Sequence, residues 1–268
     1  MAMGSALGNA WLSSSVAQTI VAVDPGIASH AGVELHAHVS EVPRYEFDFI
    51  VIAVKPGLVA ASLSQLPAAL VSKAAVISIA AGVSCSSLSE ALAMNCPVIR
   101  AMPNTAVMLN AGCTVLYSQG DLSAGLHDQI GRLFGAVGKA FWVQAEDSLN
   151  AATAVSGSGP AYYHLFSESL ADAGITLGLD AELATALAAQ TAYGAALMQT
   201  AEGADFVDLR RAVTSPQGTT ATAVAVLEAN AGLRSLVASA ATAACERSRQ
   251  LACSTPPQRA QTGAGTAL

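Results

Sequence analysis

Short apolar runs alternate with amphipathic ones through the first half of the chain, and apolar residues at helical spacing fill the second half. Thr19-Ile20-Val21-Ala22-Val23-Asp24 reads as a buried strand closed by an acid. Residues 47–54 form a second run, stopped by Lys55-Pro56-Gly57, and residues 75–79 a third, followed by Ala80-Ala81-Gly82. Residues 97–102 form a fourth, stopped by Pro103-Asn104-Thr105, and residues 113–117 and 140–143 add two more. Segments 58–70, 86–93 and 122–134 carry helical spacing between them. Continuous apolar strands separated by helices predict a mostly parallel sheet covered on both faces. The fold class is therefore α/β, a Rossmann-like doubly wound sheet.

From Glu146 the β pattern stops. Long Ala/Leu-rich helical runs follow over 161–177, 181–200, 206–212, 219–228 and 233–251, punctuated by Gly174, Gly178 and Gly203. The predicted domains are 1–145, Rossmann-like and nucleotide-binding, and 146–253, all-helical. Residues 254–268, rich in Thr, Pro, Gln and Gly, read as a disordered tail. The Ala-rich faces of 181–200 allow close helix approach, which places a dimer interface there.

Two glycine-rich turns each open a helix in this second half. One is Ser156-Gly157-Ser158-Gly159-Pro160-Ala161-Tyr162; the other is Thr214-Ser215-Pro216-Gln217-Gly218-Thr219-Thr220. A helix N-terminus carries unpaired N–H groups and a partial positive charge, so it can hold a carboxylate. Taken singly, each turn also reads as an ordinary helix start with proline near its first position. Together, Ser158, Gly159, Gly218 and Thr219 point to a site for a small anionic substrate.

Composition narrows the classes. Apolar residues are 53% of the 268 and charged residues 12%, which is more apolar than a typical soluble monomer. No uninterrupted run is long enough to cross a membrane, so the excess apolar surface is assigned to an oligomer. A net charge of −7 without a basic stripe argues against a nucleic-acid partner. Cys85, Cys96, Cys113, Cys245 and Cys253 are scattered and lack CxxC spacing, which fits free thiols in a reducing cytoplasm. No Lys or Arg precedes Arg44, so a signal peptide is not expected. His36 and His38 read as alternation on a short strand or loop; no metal site is expected.

At the start, Asp24 stands twenty residues after Gly4, near the spacing of an acid that accepts from an adenosine ribose. No strand and no G-x-G precede Gly4, so only the last glycine and the helix of a dinucleotide fingerprint are present. Two readings stay open: the first strand is missing from the protein, or translation starts upstream of Met1.

These segments together resemble pyrroline-5-carboxylate reductases. The resemblance runs from about Gly4 to Leu251. It rests on Ala53-Val54-Lys55-Pro56, Ile77-Ser78-Ile79-Ala80-Ala81-Gly82-Val83, Arg100-Ala101-Met102-Pro103-Asn104-Thr105, Gly135-Ala136-Val137-Gly138-Lys139 and both turns. It implies reduction of Δ1-pyrroline-5-carboxylate to L-proline with NADH or NADPH, the last step of proline biosynthesis, in the cytoplasm. It also implies a cofactor-binding Rossmann domain, an all-α dimerisation domain, and a homodimer or a decamer of five dimers. Carried over by position, Val54 and Lys55 resemble contacts beside the cofactor's ribose and phosphates, and Ala81, next to Ala80, a nicotinamide-side contact. Glu146 matches an acid near the nicotinamide. Asn104 joins Asp24 and Ala80 as a strand-end candidate for the cofactor, and Gly4 is a candidate as the last glycine of the fingerprint. Thr219 and Thr220 fall where substrate carboxylate and ring nitrogen bind, with Gly218 beside them. Ser215 is a supporting hydroxyl, so Thr220 and Ser215 are the catalytic candidates.

The sequence departs from the family pattern at three places besides the missing first strand. Gln217 replaces a glycine, at a cost of about 1–2 kcal/mol if that position needs positive φ. Ala212 replaces an amide side chain, and Ala106 a proline. Asp24 repels a 2′-phosphate, and no Arg or Lys follows it nearby, with Gly26, Ser29 and His30 the candidates; a modest NADH preference is expected. Two alternatives remain. One is a related imine reductase or β-hydroxyacid-type dehydrogenase, disfavoured because Lys55, Lys73 and Lys139 are the only lysines and all precede Glu146. The other is an oligomerising chain that binds cofactor poorly.

Overall fold

The structure, a computed structural model, describes residues 3–26, 32–92 and 94–253. Ser29, His30, Ala93 and the tail 254–268 lie outside the described residues. The chain forms two compact units: the part up to Gly157 joined by the chain from Ala244 onward, and Ser158–Ala243.

The first unit opens with helix α1 (Met3–Ser13), strands β1 (Val21–Val23) and β2 (Glu34–His36), and strand β3 (Phe49–Ile52). Helices α2 (Val59–Ser64) and α3 (Ala68–Val71) precede β4 (Ala75–Ser78), and α4 (Cys85–Leu92) precedes β5 (Val98–Pro103). Then come β6 (Gly112–Ser118), α5 (Ala124–Gly135), β7 (Gly138–Trp142) and α6 (Ser148–Ala152). Five strands pair in the order β3-β4-β5-β6-β7, all parallel except β5 with β6. β1 and β2 pair in parallel as a separate two-stranded sheet.

Two features refine the expected parallel sheet. β6 runs antiparallel because the link from β5 is a short 3-10 turn, Thr105–Leu109, ending at Asn110 with φ 54. A parallel return would need a crossover of a dozen residues or more. β2 was not legible as a strand because Glu34-Leu35-His36 carries one apolar residue between two polar ones.

The sheet is covered on both faces. Alternate residues of β4 and β5 point to opposite sides. Ala75, Ile77, Ile99 and Ala101 pack with Leu7 and Trp11 of α1 and Ile130 and Phe134 of α5. Val76 and Val98 pack with Val59 and Leu63 of α2 and Leu88 and Leu92 of α4. The Trp11 indole donates to the Leu133 carbonyl at 2.8 Å and meets Phe134 edge-on, which fixes α1 against α5.

The second unit holds α7 (Gly159–Thr176), α8 (Ala181–Gln199), α9 (Phe206–Ala212), α10 (Thr219–Glu228) and the first part of α11 (Gly232–Cys253). Asp180 and Asp205 each accept from two backbone N–H groups as N-caps of α8 and α9. α7 and α8 approach closely at Gly174, where a Cβ would come within 3.2–3.3 Å of Leu179 and Ala184. This unit leaves many large apolar side chains in water: Leu177 is 86% exposed, Leu236 71%, Tyr163 67% and Tyr193 60%.

Candidate functional site

In the first unit the candidates gather at the carboxyl ends of parallel strands. β3, β4 and β5 share one direction, so the segments that leave them, 53–55, 79–82 and 103–104, lie along one edge of the sheet. The start of α1 reaches the same edge: a Cβ on Gly4 would sit 2.8 Å from the Ala53 Cβ, so only glycine allows this approach. Val54 and Lys55 are exposed there, and Lys55 N-caps the 3-10 turn Pro56–Leu58. Asp24 follows β1, partly exposed, and its Oδ1 accepts from the Gly26 N–H at 2.8 Å. Gly4 is thus brought beside Ala53 at this edge, whereas Asp24 closes a strand of the separate two-stranded sheet. Among the described residues, no cluster of three or more His, Cys, Asp or Glu could hold a metal.

The turn after β4 is tightly held. The Ser78 hydroxyl accepts from the Ala80 N–H at 3.3 Å, Ala80 is buried, and Gly82 has φ +76. A Cβ on Gly82 would lie 3.0 Å from the backbone of Leu251 and Ala252 at the end of α11. At the far end of the turn, Cys85 begins α4, and its N–H donates to Glu146 Oε1 at 2.8 Å. The same oxygen accepts from Arg100 Nη1 of β5 at 2.8 Å. The Arg100 side chain is 8% exposed and that of Glu146 29%. Burial, with the Glu146 charge added, pushes the Cys85 thiol up to about 11. The Tyr117 phenol is raised by the same two causes in the same order.

Arg100 was not singled out as a site residue by sequence reasoning. Its signal was available: one charge inside the apolar run Val98-Ile99-Arg100-Ala101-Met102, where a buried charge requires a partner.

Asn104, buried at the end of β5, has its side chain engaged within the protein. Oδ1 accepts from Ala106 N–H and Cys113 N–H, and Nδ2 donates to the Ser156 carbonyl at 3.0 Å. Ser156 sits in a π-helical turn, Thr153–Gly157, that follows α6. Such π-turns recur at functional sites because they re-aim the backbone.

In the second unit, Ser158 is the N-cap residue of α7, with no side-chain capping bond, and Gly159 is buried. The turn 214–218 is compact: Gly218 N–H donates to the Ser215 carbonyl, and Gln217 takes φ 62. Gly218 is the N-cap of α10 and supplies no side-chain cap. Thr219 and Thr220 are its first two residues, one exposed and one half-buried. Neither hydroxyl, nor that of Ser215, has a partner among the described residues, so this helix start presents free N–H groups and two free hydroxyls.

Known proteins resemble this chain along most of its length. Residues 146–251 match the family model for pyrroline-5-carboxylate reductase dimerisation. A Pseudomonas aeruginosa pyrroline-5-carboxylate reductase is 41% identical over 241 residues, covering 88% of each chain. A Glycine max pyrroline-5-carboxylate reductase is 40% identical over 206 residues, covering 77% of this chain and 74% of the relative. Among solved structures, a Coxiella burnetii pyrroline-5-carboxylate reductase superposes with TM-score 0.83 at 32% identity, covering 92% of this chain and 95% of that one. A Plasmodium falciparum pyrroline carboxylate reductase with NADP bound gives TM-score 0.81 at 29% identity, covering 93% and 94%.

Proposed function

The chain belongs to the pyrroline-5-carboxylate reductase family, and from that premise we propose that it reduces Δ1-pyrroline-5-carboxylate to L-proline with NAD(P)H. The observation that carries the substrate half of this reading is the uncapped start of α10, with the Thr219 and Thr220 hydroxyls free. A bound reduced nicotinamide supplies the hydride. The ring imine becomes a good hydride acceptor once protonated, so the protein's task is to hold and orient it and to help deliver that proton to its nitrogen.

The N–H groups at the start of α10 and the Thr219 hydroxyl hold the substrate carboxylate, which the helix dipole favours. Thr220 hydrogen-bonds the ring nitrogen, and Ser215 supports it. As the ring carbon gains hydride, the nitrogen keeps its proton and becomes the amine of proline. Ser158 and Gly159 at the start of α7 line the substrate side.

For the cofactor, Gly4, Val54 and Lys55 lie where ribose and phosphates would run, and Ala80 and Ala81 where the nicotinamide would lie. Asn104 acts by fixing the Ser156 carbonyl. Asp24 has one oxygen committed to Gly26, and its charge favours a free ribose hydroxyl over a 2′-phosphate. A lower KM for NADH than for NADPH is expected; an equal or lower value for NADPH would remove the argument from Asp24.

We assign 1–145 to cofactor binding and 146–253 to dimerisation and substrate binding. The protein is a homo-oligomer, and we propose a dimer or a ring of five dimers. No helix among the described residues is long and apolar enough to cross a membrane. We propose a reducing, cytoplasmic setting, which the scattered cysteines without CxxC spacing support. The direct test is formation of proline from Δ1-pyrroline-5-carboxylate with NADH or NADPH. A folded, oligomeric sample that binds cofactor yet makes no proline would refute the assignment.

A further inference from the structure

We propose that Arg100 is a positioning residue for the nicotinamide-side turn: acting through Glu146, it fixes the turn that runs from Ala80 to Cys85. The proposal rests on the reading above, in which Ala80 and Ala81 face the nicotinamide.

Three elements meet at one oxygen atom. Arg100 comes from the middle of β5, Glu146 from the segment between β7 and α6, and Cys85 from the first position of α4. Glu146 Oε1 takes both the Arg100 Nη1 bond and the Cys85 N–H bond, each at 2.8 Å. An anchor of this kind fixes both distance and direction, because a charged acceptor shared by two donors leaves little room to rotate. Cys85 N–H is also a donor that α4 itself leaves without an intrahelical partner, where a carboxylate is favoured by the helix dipole.

Other anchors hold the turn at both ends: the Ser84 hydroxyl accepts from the Ser87 N–H at 3.1 Å, the Ser84 carbonyl accepts from the Leu88 N–H, and Val83 and Cys85 are buried. The Ser78 hydroxyl holds the Ala80 N–H, and Gly82 rests on the backbone at the end of α11. Ala81 carries only a methyl group, which packs against Met102, Val115 and Leu149 but makes no hydrogen bond. Its direction therefore also follows from the two ends of the turn, and at the Cys85 end Glu146 adds a charged acceptor to the Ser84 cap. Glu146 in turn is partly exposed, while Arg100 beneath it is buried in the sheet. The buried guanidinium is the rigid member of the pair, so it sets where the carboxylate stands. Without it, Glu146 can swing toward water and release Cys85.

The test uses the full chain and two variants, Arg100→Met and Glu146→Gln. Amide hydrogen exchange over 79–88 without cofactor, and the rate of Cys85 alkylation, report the turn itself. Steady-state KM for NADH against kcat reports its consequence. For Arg100→Met the expected result is at least tenfold faster exchange at the start of α4, faster Cys85 alkylation, and a KM for NADH raised about tenfold with kcat changed less. Arg100→Lys should recover part of both effects. Glu146→Gln keeps an acceptor for Cys85 but loses the charge, so its exchange should lie between wild type and Arg100→Met; it also serves if Arg100→Met does not fold. Unchanged exchange and unchanged KM in a folded Arg100→Met or Glu146→Gln protein would overturn the proposal. Loosened exchange in a variant whose wild-type parent makes no proline would instead count against the reaction, not against the anchor.

Discussion

At the scale of single residues, the site combines groups left without partners and groups that hold several. The Thr219 and Thr220 hydroxyls are free where the family resemblance places the substrate carboxylate and ring nitrogen. Thr220→Val removes the donor to the ring nitrogen while keeping shape, so kcat should fall about tenfold to a hundredfold. Thr219→Val should mainly raise KM for the pyrroline. Steady-state kinetics on both variants separate the roles; equal, small effects on both constants would mean the threonines serve only the helix start.

Cys85 gives a second prediction at this scale. Its folded thiol is raised to about 11, first by burial and then by the Glu146 charge. An unfolded thiol ionises near ~8.5. The folded state therefore keeps the proton that the unfolded chain releases, and stability is full below about pH 8.5 and declines as pH rises toward about 11. Urea midpoints at a series of alkaline pH values should show this decline, and Cys85→Ala should flatten it. A decline of the same size in the variant would place its origin elsewhere.

At the scale of elements, the turn from Thr214 to Gly218 carries the clearest cost. Gln217 adopts φ 62, a left-handed conformation that costs an ordinary residue about 1–2 kcal/mol. Gln217→Gly relieves that strain but adds unfolded-state entropy, roughly 0.5–1 kcal/mol. The net expectation is a stabilisation of up to about 1.5 kcal/mol, read as a higher urea midpoint. A lower midpoint would show that the Gln217 side chain contributes more than its backbone costs.

Legibility divides along the same lines. Apolar runs such as Ala75–Ser78 stood out as strands because both faces are buried, and Gln217 stood out because the family resemblance puts a glycine there, which its φ of 62 explains. β2 did not stand out, being three residues with two polar ones. The antiparallel turn of β6 depends on the length of a loop rather than on any pattern in the strand. Asn104 and Glu146 were legible as important positions, but their partners were not. The bonds from Asn104 to Ser156 and from Glu146 to Cys85 and Arg100 join segments far apart in sequence, and local pattern carries no record of such pairings. Arg100 itself left a trace, as a lone charge in an apolar run.

At the scale of the whole molecule, the exposed apolar surface of the helical unit calls for a partner. Leu165, Phe166, Tyr193, Leu197 and Leu236 are each about half exposed or more. A monomer rarely leaves so much large apolar surface in water, and the matching dimerisation family covers these residues. Light scattering on the purified chain should give the mass of a dimer or a multiple of it. The double change Tyr193→Glu and Leu197→Glu on α8 should shift the sample to monomer or aggregate, with loss of turnover. A stable monomer in the unchanged chain would contradict the assignment of this surface.

The most direct test of the central claim is the reaction itself. The 268-residue chain is given Δ1-pyrroline-5-carboxylate with NADH and, separately, NADPH, and proline is measured as the product. The account predicts proline in step with cofactor oxidation, with NADH the better donor. Cofactor binding by a folded oligomer without any proline would contradict it.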